Sequence, residues 1–313
     1  MTSAFVFPGQ GSQAAGMGKE LADALPEARE VFEEVDDALG LKLSAIMWEG
    51  PVETLTLTEN AQPALMAVSV AAARAIQKGG YDLAGKVAYV AGHSLGEYSA
   101  LTAAGALSLA DSARLLRRRG QAMQRAVPVG EGAMAALLGA EIDLAEEIAA
   151  AAAADDGVCQ VANDNGGGQS VISGSRAAVD RAIEISKERG VKRAMPLPVS
   201  APFHCALMQP AADEMAEALA EVTIESPLVP LVANVKAAAV SDAEEIRQLL
   251  VEQVTKVVRW RESVLFMRDQ GVDTLVEVGA GKVLSGLAKR IDHDIKGVNV
   301  GSPGDLDTFF NAV

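Results

Sequence analysis

Short apolar runs alternate with longer amphipathic segments along most of the chain. The apolar runs predict strands at residues 4–7, 87–91, 230–235, 274–278 and 297–300. The segments between them repeat apolar residues at the helical period and predict helices at residues 60–77, 95–106, 111–127, 243–254 and 282–290. This alternation is typical of an α/β fold built around a mainly parallel sheet.

The pattern changes between residues 128 and 196. Here the sequence predicts, in order, a strand at 133–138, a helix at 143–154, strands at 158–162 and 170–173, a helix at 176–189 and a strand at 191–196. This βαββαβ order is the ferredoxin-like signature. Because prolines lie at both borders, with a glycine beside the first, we predict a ferredoxin-like domain at 128–196, inserted in a large α/β domain of residues 1–127 and 197–313. Ligands favour such domain junctions.

The composition and net charge disfavour several classes of binding partner. The 313 residues are half apolar and carry a formal net charge of −15, which disfavours nucleic acid and anionic membranes as partners. We see no secretory signal at the N-terminus, and charges interrupt the Ala-rich runs well short of a membrane span. Two unclustered cysteines and three histidines argue against a disulfide scaffold and a metal site. We therefore expect a cytoplasmic protein without metal or membrane insertion.

The most informative motif is Gly92-His93-Ser94-Leu95-Gly96-Glu97, which lies between a predicted strand and a predicted helix. In this context G-x-S-x-G predicts a nucleophile elbow, a sharp turn that exposes the hydroxyl of Ser94 at the strand end. The new helix directs unpaired backbone N–H groups to the same point, where they can hold an oxyanion. The alternative is a plain structural turn.

A serine nucleophile needs a base to accept its proton, and His204 is the best candidate. It follows the predicted inserted domain directly, although a capping or core histidine is the alternative. His93 adjoins the serine but points to the opposite face, so we expect it to support the elbow. No acid is clearly placed to orient His204: Asp213 and Glu214 follow it on an amphipathic segment, and a backbone carbonyl would serve equally. A dyad and a triad both remain open.

Two further features point to ligand binding. The glycine-rich turn from Phe7 to Gln13 follows the first predicted strand and can bring a backbone N–H close to a ligand, beside the N–H of Leu95. Arg119 falls on the apolar face of its predicted helix, whereas Arg114, Arg118 and Arg125 fall on the opposite face. A buried guanidinium indicates either a structural ion pair or a group that awaits a substrate carboxylate.

Four motifs in this order resemble the malonyl-CoA:acyl carrier protein transacylase family: Phe-Pro-Gly-Gln-Gly-Ser-Gln, Gly-His-Ser-Leu-Gly-Glu-Tyr-Ser, Ala-Pro-Phe-His and Val-Gly-Ala-Gly-Lys-Val-Leu. The resemblance runs from residues 5–17 to residues 277–287. It implies a hydrolase-like α/β domain with an inserted ferredoxin-like domain. It also implies transfer of a malonyl group from malonyl-CoA, a coenzyme A thioester, to acyl carrier protein, with no cofactor.

The resemblance also implies residue roles. Ser94 would carry the acyl group with His204 as its base, and the main-chain N–H groups of Gln10 and Leu95 would form the oxyanion hole. Arg119 would bind the malonyl carboxylate. At two further positions, Gln253 would orient His204 through its backbone carbonyl, and Asn163 would line the cleft. The competing classes are a serine acylhydrolase or esterase, a freestanding polyketide-pathway acyltransferase, and a non-enzymatic module.

Overall fold

Two separate β-sheets organise the part of the chain that the computed structural model describes, residues 2–153 and 157–312. Their strands are β1 (Ser3–Phe7), β2 (Val87–Gly92), β3 (Gly132–Leu138), β4 (Cys159–Asp164), β5 (Gln169–Ser175), β6 (Arg193–Pro196), β7 (Leu231–Ala233), β8 (Ala238–Val240), β9 (Thr274–Val278) and β10 (Lys296–Val300). The large sheet has the order β10-β9-β1-β2-β7-β8 and is parallel except for the pair β7–β8. The predicted mainly parallel α/β architecture is confirmed.

Helices connect the strands. They are α1 (Lys19–Ala24), α2 (Pro26–Leu39), α3 (Leu43–Glu49), α4 (Val52–Thr56), α5 (Thr58–Lys78), α6 (Leu83–Lys86), α7 (Gly96–Ala103), α8 (Leu109–Ala126), α9 (Ile142–Ala152), α10 (Arg176–Glu188), α11 (Gln209–Ala220), α12 (Ala243–Glu252), α13 (Trp260–Asp269), α14 (Val283–Ile291) and α15 (Pro303–Ala312). A short 3₁₀ turn, Ala206–Met208, precedes α11. Among these described helices, none has the length and apolar character needed to span a membrane.

The large sheet is covered by helices on both faces. Successive residues of a strand point to opposite faces, so Phe5 and Phe7 of β1 pack into one apolar cluster while Ala4 and Val6 pack into another. The first cluster includes residues of α2, α5, α7 and α8, and the second includes residues of α13 and α14. Full burial of a phenylalanine contributes about 1.5–3 kcal/mol, so Phe5 and Phe7 stabilise the packing of the first layer on this central strand.

The small sheet lies within the segment predicted to be an inserted domain. Its order is β4-β5-β3-β6, every pair is antiparallel, and α9 and α10 supply much of its apolar core. Two contacts join β4 to the start of α13. The N–H of Asp164 donates to the carbonyl of Val258, just before the helix, and the carboxylate of Asp164 pairs with Arg261, in its first turn, at 2.8 Å. Helix α9 was predicted to reach residue 154, which lies outside the described residues.

Several predicted bounds differ from the observed ones. The strand predicted at 230–235 ends at Ala233, because the chain turns back there and pairs β7 with β8 as a hairpin. The helix predicted at 95–106 ends at Ala103, because the chain turns at Gly105, whose φ is +75°. Sequence periodicity also did not predict α2, α13, α15 or the short helices α1, α3, α4 and α6. The four short helices have seven residues or fewer, which is too short for a clear period of 3.6.

Candidate active site

The G-x-S-x-G motif forms a tight elbow between β2 and α7, and its glycines are required sterically. A Cβ on Gly92 would lie 1.9 Å from the carbonyl carbon of Gly96, and a Cβ on Gly96 would lie 2.3 Å from the carbonyl oxygen of Phe7. Ser94 adopts a left-handed conformation with φ of +53°. This conformation typically costs roughly 1–3 kcal/mol for a residue with a side chain, so the surrounding structure must hold it in place.

Side chains from two other elements hold the backbone of Ser94. Its N–H donates to Oδ1 of Asn234 at 2.8 Å, and its carbonyl accepts from Nε2 of Gln253 at 2.9 Å. Asn234 also donates from Nδ2 to the carbonyl of Gly92 at 2.7 Å. Sequence reasoning missed Asn234 altogether, since it lies 140 residues from Ser94 in the chain and belongs to no motif.

The hydroxyl of Ser94 lies 2.7 Å from Nε2 of His204. On the other side of the ring, Nδ1 of His204 lies 2.8 Å from the backbone carbonyl of Gln253. Because a carbonyl only accepts, Nδ1 carries the proton and Nε2 is free to accept from Ser94. The partner of Nδ1 is therefore a carbonyl and not a carboxylate. Glu214 instead pairs with Arg118 and Arg125.

His204 is held in its neutral form. Burial lowers its pKa from the ordinary 6.5 to about 3, and the positive charge of Arg119 acts in the same direction. Its own φ of +59° places it in the left-handed region as well. A neutral imidazole with a free Nε2 is the state that a general base requires.

Arg119 lies on α8 and is 1% exposed. Its Nη1 donates to Oε1 of Gln62 at 2.7 Å, and its Nη2 donates to Oε1 of Gln253 at 2.8 Å and to the hydroxyl of Ser94 at 3.1 Å. The guanidinium also lies 5.9 Å from the ring centre of Tyr98. Within residues 2–153 and 157–312 it has no carboxylate at ion-pair distance, so the structural ion pair considered from sequence is absent there.

Glu97 is a buried carboxyl group that sequence reasoning did not single out, although it ends the serine motif. One of its oxygens accepts from the N–H of Asn234 at 2.6 Å, and the other accepts from Nε2 of Gln253. Burial raises its pKa from the ordinary 4.5 to about 8, while these two hydrogen bonds and the charge of Arg119 act to lower it.

A cavity of about 700 Å³ opens beside the serine and is lined by loops that follow β1 and β2 of the large sheet and by residues of the small sheet. Gln10, Ser94, Leu95, Arg119, Asn163 and His204 all line it. The loops of Gln10 and Leu95 meet because they follow β1 and β2, which pair in parallel up to Phe7 and Gly92. Within the described chain the backbone N–H groups of Gln10 and Leu95 donate to no protein acceptor, so both remain available to a ligand.

The remaining candidates from the sequence lie away from the reacting hydroxyl. Nε2 of His93 lies 2.9 Å from Oδ1 of Asn165, which links the elbow to the small sheet. Cys205 is buried, its thiol donates to the carbonyl of Pro202, and burial raises its pKa. His293 is exposed. Six of the seven proposed site residues therefore line the cavity. The seventh, Gln253, bonds to His204 and Arg119, which do line it.

A serine elbow, a neutral histidine and paired backbone N–H donors define an acyl-transferring or acyl-hydrolysing site. Residues 4–298 match the acyl transferase domain family, and the chain belongs to that family.

The individual relatives are more specific. The malonyl CoA-acyl carrier protein transacylase of Escherichia coli K12 is 50% identical over 289 residues, 92% of each chain. The crystal structure of acyl-carrier-protein-S-malonyltransferase from Bartonella henselae is 57% identical with a TM-score of 0.97, over 100% of this chain and 99% of that one. A malonyl-transacylase solved in complex with its type II PKS acyl-carrier protein is 42% identical with a TM-score of 0.96, over 100% of both chains. The family resemblance carried by the motifs is confirmed.

The steric role of Gly92 predicts that Gly92→Ala damages the elbow. We expect the variant to lose roughly 1–3 kcal/mol of unfolding free energy, because the added methyl group has no room beside Gly96. Labelling of Ser94 by a fluorophosphonate should fall with it. Gly286→Ala is the matched control, since no atom lies within 4 Å of its added Cβ. Equal behaviour of the two variants in thermal unfolding and labelling would contradict the steric argument.

The lowered pKa of His204 predicts an unusual pH profile. A base works only when neutral, and His204 takes up a proton well below the ordinary 6.5. Fluorophosphonate labelling of Ser94 should therefore stay level from about pH 8 to about pH 5. Arg119→Ala removes one cause of the lowered pKa, so its acid limb should move to higher pH. Arg118→Ala, one residue away and paired with Glu214, is the control. A wild-type midpoint near pH 6.5 would refute this account.

Proposed function

We propose that this protein is an acyltransferase that moves a malonyl group from malonyl-CoA to the phosphopantetheine thiol of an acyl carrier protein. The observation that carries the proposal is the buried guanidinium of Arg119, which lies 3.1 Å from the hydroxyl of Ser94 and has no carboxylate partner among the described residues. Such a site suits a short acyl group that ends in a carboxylate. The names of the relatives support the same activity.

The first half-reaction acylates Ser94. Its hydroxyl gives its proton to Nε2 of His204 as the oxygen attacks the thioester carbonyl of malonyl-CoA. The carbonyl oxygen becomes an oxyanion, which the backbone N–H groups of Gln10 and Leu95 stabilise. The carbon–sulfur bond then breaks, the proton on His204 goes to the departing thiolate, and free CoA leaves a malonyl ester on Ser94.

In the second half-reaction the thiol of the carrier protein is the nucleophile and Ser94 is the leaving group. The thiol of the carrier protein's phosphopantetheine gives its proton to His204 and attacks the malonyl ester. The same two N–H groups hold the oxyanion, and Ser94 departs with the proton from His204. The two half-reactions share one site and one intermediate, so the kinetics are ping-pong. The nucleophile and base are both protein groups, and the proposed chemistry needs no metal or redox cofactor.

Arg119 supplies selectivity in this scheme. Only one methylene separates the thioester carbonyl of malonyl from its carboxylate, so an acyl group on Ser94 brings that carboxylate to the guanidinium beside it. Arginine binds a carboxylate through two parallel N–H bonds. Asn163 lines the same cavity and completes its wall on the side of the small sheet.

The arrangement of the chain fits this proposal. We propose that residues 128–196 form a ferredoxin-like domain inserted in a hydrolase-like domain of residues 1–127 and 197–313, with the active site at the junction. The strand order β4-β5-β3-β6 and the two covering helices support the ferredoxin-like interpretation. We also propose a cytoplasmic location, and fatty acid synthesis as the pathway. Polyketide synthesis is the alternative, in view of the relative solved with a type II PKS carrier protein.

The rival activity is that of a serine acylhydrolase. A hydrolase would have the same elbow, but no need for a buried cation beside the nucleophile. Turnover of malonyl-CoA with and without carrier protein separates the two activities. Transfer predicts a single burst of CoA without carrier protein and steady turnover with it. Steady hydrolysis in its absence would favour the hydrolase.

We expect Ser94 to be the only acylated residue, because its hydroxyl lies within hydrogen-bond distance of Nε2 of the neutral His204. Incubation with labelled malonyl-CoA, a rapid quench and peptide mapping should place one label per chain on Ser94. Ser94→Ala should abolish the label. Cys205 is the internal control, because its thiol is buried and bonded to a carbonyl. Label on Cys205, or label that persists in Ser94→Ala, would disprove the assignment.

We expect Arg119→Ala to invert the acyl selectivity. The malonyl carboxylate would enter a buried site without a partner, so kcat/KM for malonyl-CoA should fall on the order of 10²–10³-fold. Acetyl-CoA leaves the wild-type guanidinium unpaired, so its kcat/KM should persist or rise in the variant. The ratio of the two values is the quantity to measure. Arg118→Ala is the control. An equal loss for both substrates, with a lower melting temperature, would make Arg119 a structural residue.

A further inference from the structure

Gln253 joins three parts of the site through one residue. Its backbone carbonyl accepts from Nδ1 of His204, and its side-chain oxygen accepts from Nη2 of Arg119 at 2.8 Å. Its side-chain nitrogen donates to the carbonyl of Ser94 at 2.9 Å and to a carboxyl oxygen of Glu97. The orientation of the His204 ring depends only on the backbone of Gln253. The hydrogen bond of Arg119 depends on which atom of the Gln253 side-chain amide faces it.

Glu97 and the carbonyl of Ser94 together decide which way that amide points, because each of them faces the amide nitrogen. It is 1% exposed, and both of its oxygens face N–H donors, one from the backbone of Asn234 and one from Gln253. A carboxyl oxygen keeps a lone pair for an N–H donor even when it is protonated, whereas an amide nitrogen has none to offer. Gln253 must therefore turn its nitrogen to Glu97, and its oxygen is left to face Arg119.

We propose that Glu97 is a positioning residue that aims Arg119 at the acyl carboxylate, because it fixes the orientation of the Gln253 amide together with the carbonyl of Ser94. This role rests on the proposed function, in which Arg119 binds that carboxylate. A reversed amide would set its NH₂ group against the guanidinium, donor against donor. Arg119 would then keep only Gln62 and the hydroxyl of Ser94 as partners and would leave its position.

The intervening amide also explains why Glu97 does not bind Arg119 itself. A carboxylate placed directly on the guanidinium would satisfy its charge and compete with the substrate. The neutral oxygens of Gln62 and Gln253 orient the guanidinium without neutralising it. Glu97 therefore acts on Arg119 through the Gln253 amide and not through a direct ion pair.

The test is the Glu97→Gln variant, in which one acceptor becomes a donor. The substituted side chain can keep the Asn234 contact through its amide oxygen, but its nitrogen then faces the nitrogen of Gln253, donor against donor. Only the carbonyl of Ser94 still favours the original orientation of the Gln253 amide, so that orientation loses one of its two acceptors. We expect the ratio of kcat/KM for malonyl-CoA to that for acetyl-CoA to fall roughly ten- to a hundredfold, the equivalent of one hydrogen bond to a charged group. Fluorophosphonate labelling of Ser94 should change little, because the backbone of Gln253 still orients His204.

Glu277→Gln is the matched control. Glu277 is also a buried carboxyl group whose oxygens face N–H donors, those of Leu284 and Ser285 at the start of α14. Among the described residues, the carboxyl group of Glu277 accepts hydrogen bonds from Leu284 and Ser285 and from no residue of the site, so its variant should keep the wild-type ratio even if it is less stable. Gln253→Leu should lower the ratio as Glu97→Gln does. The double variant Glu97→Gln/Gln253→Leu should lower it no further, because Glu97 acts through Gln253.

The outcomes separate this role from the proposed function. Wild-type transfer of malonyl with an unchanged ratio in Glu97→Gln overturns the role of Glu97 alone. Equal losses for both substrates, or additive losses in the double variant, overturn it too. A wild-type protein that transfers no malonyl overturns both proposals.

A second measurement does not depend on the folding of a variant. Neutron diffraction from wild-type crystals shows the deuterium atoms that distinguish amide nitrogen from oxygen. The proposal requires deuterium on the Gln253 atom that faces Glu97 and none on the atom that faces Arg119. The reverse orientation refutes the proposal.

Discussion

The site depends on one buried positive charge that has no carboxylate at ion-pair distance among the described residues. Arg119 is held by two amide oxygens and a hydroxyl, all of them neutral. Removing a charge from water is unfavourable by several kcal/mol unless a partner compensates it. In the proposed function, the substrate carboxylate provides that compensation when it is bound beside Ser94. The proposal therefore attributes selectivity to a guanidinium that has only neutral partners before the substrate binds.

The positive charge of Arg119 also lowers the pKa values of His204 and Glu97. It helps to lower the pKa of His204 to about 3 and so keeps the base neutral. It acts against the effect of burial on Glu97, whose pKa burial raises to about 8. A malonyl carboxylate on Arg119 would offset both effects during the reaction. Ser94 and His204, both with left-handed backbones, lie close to this charge, which a bound carboxylate would partly neutralise.

Local signals in the sequence predicted much of the site. The elbow could be predicted because its two glycines, required for steric reasons, lie within six consecutive residues. The burial of Arg119 could be predicted from the helical period of α8. His204 stood out because histidines are few. Asn234 and the side-chain role of Gln253 could not be predicted, since their bonds to Ser94 span 140 and 159 residues. Such contacts depend on how β2, β7 and α12 come together, which periodicity does not specify.

The most direct test of the central claim is a crystal structure of the acyl-enzyme, with malonyl trapped on Ser94. The account predicts that the malonyl carboxylate lies against the guanidinium of Arg119 through two N–H bonds. It also predicts that the ester carbonyl faces the backbone N–H groups of Gln10 and Leu95. A carboxylate directed to solvent or to another cation, with Arg119 still bound to Gln62 and Gln253 alone, would contradict it.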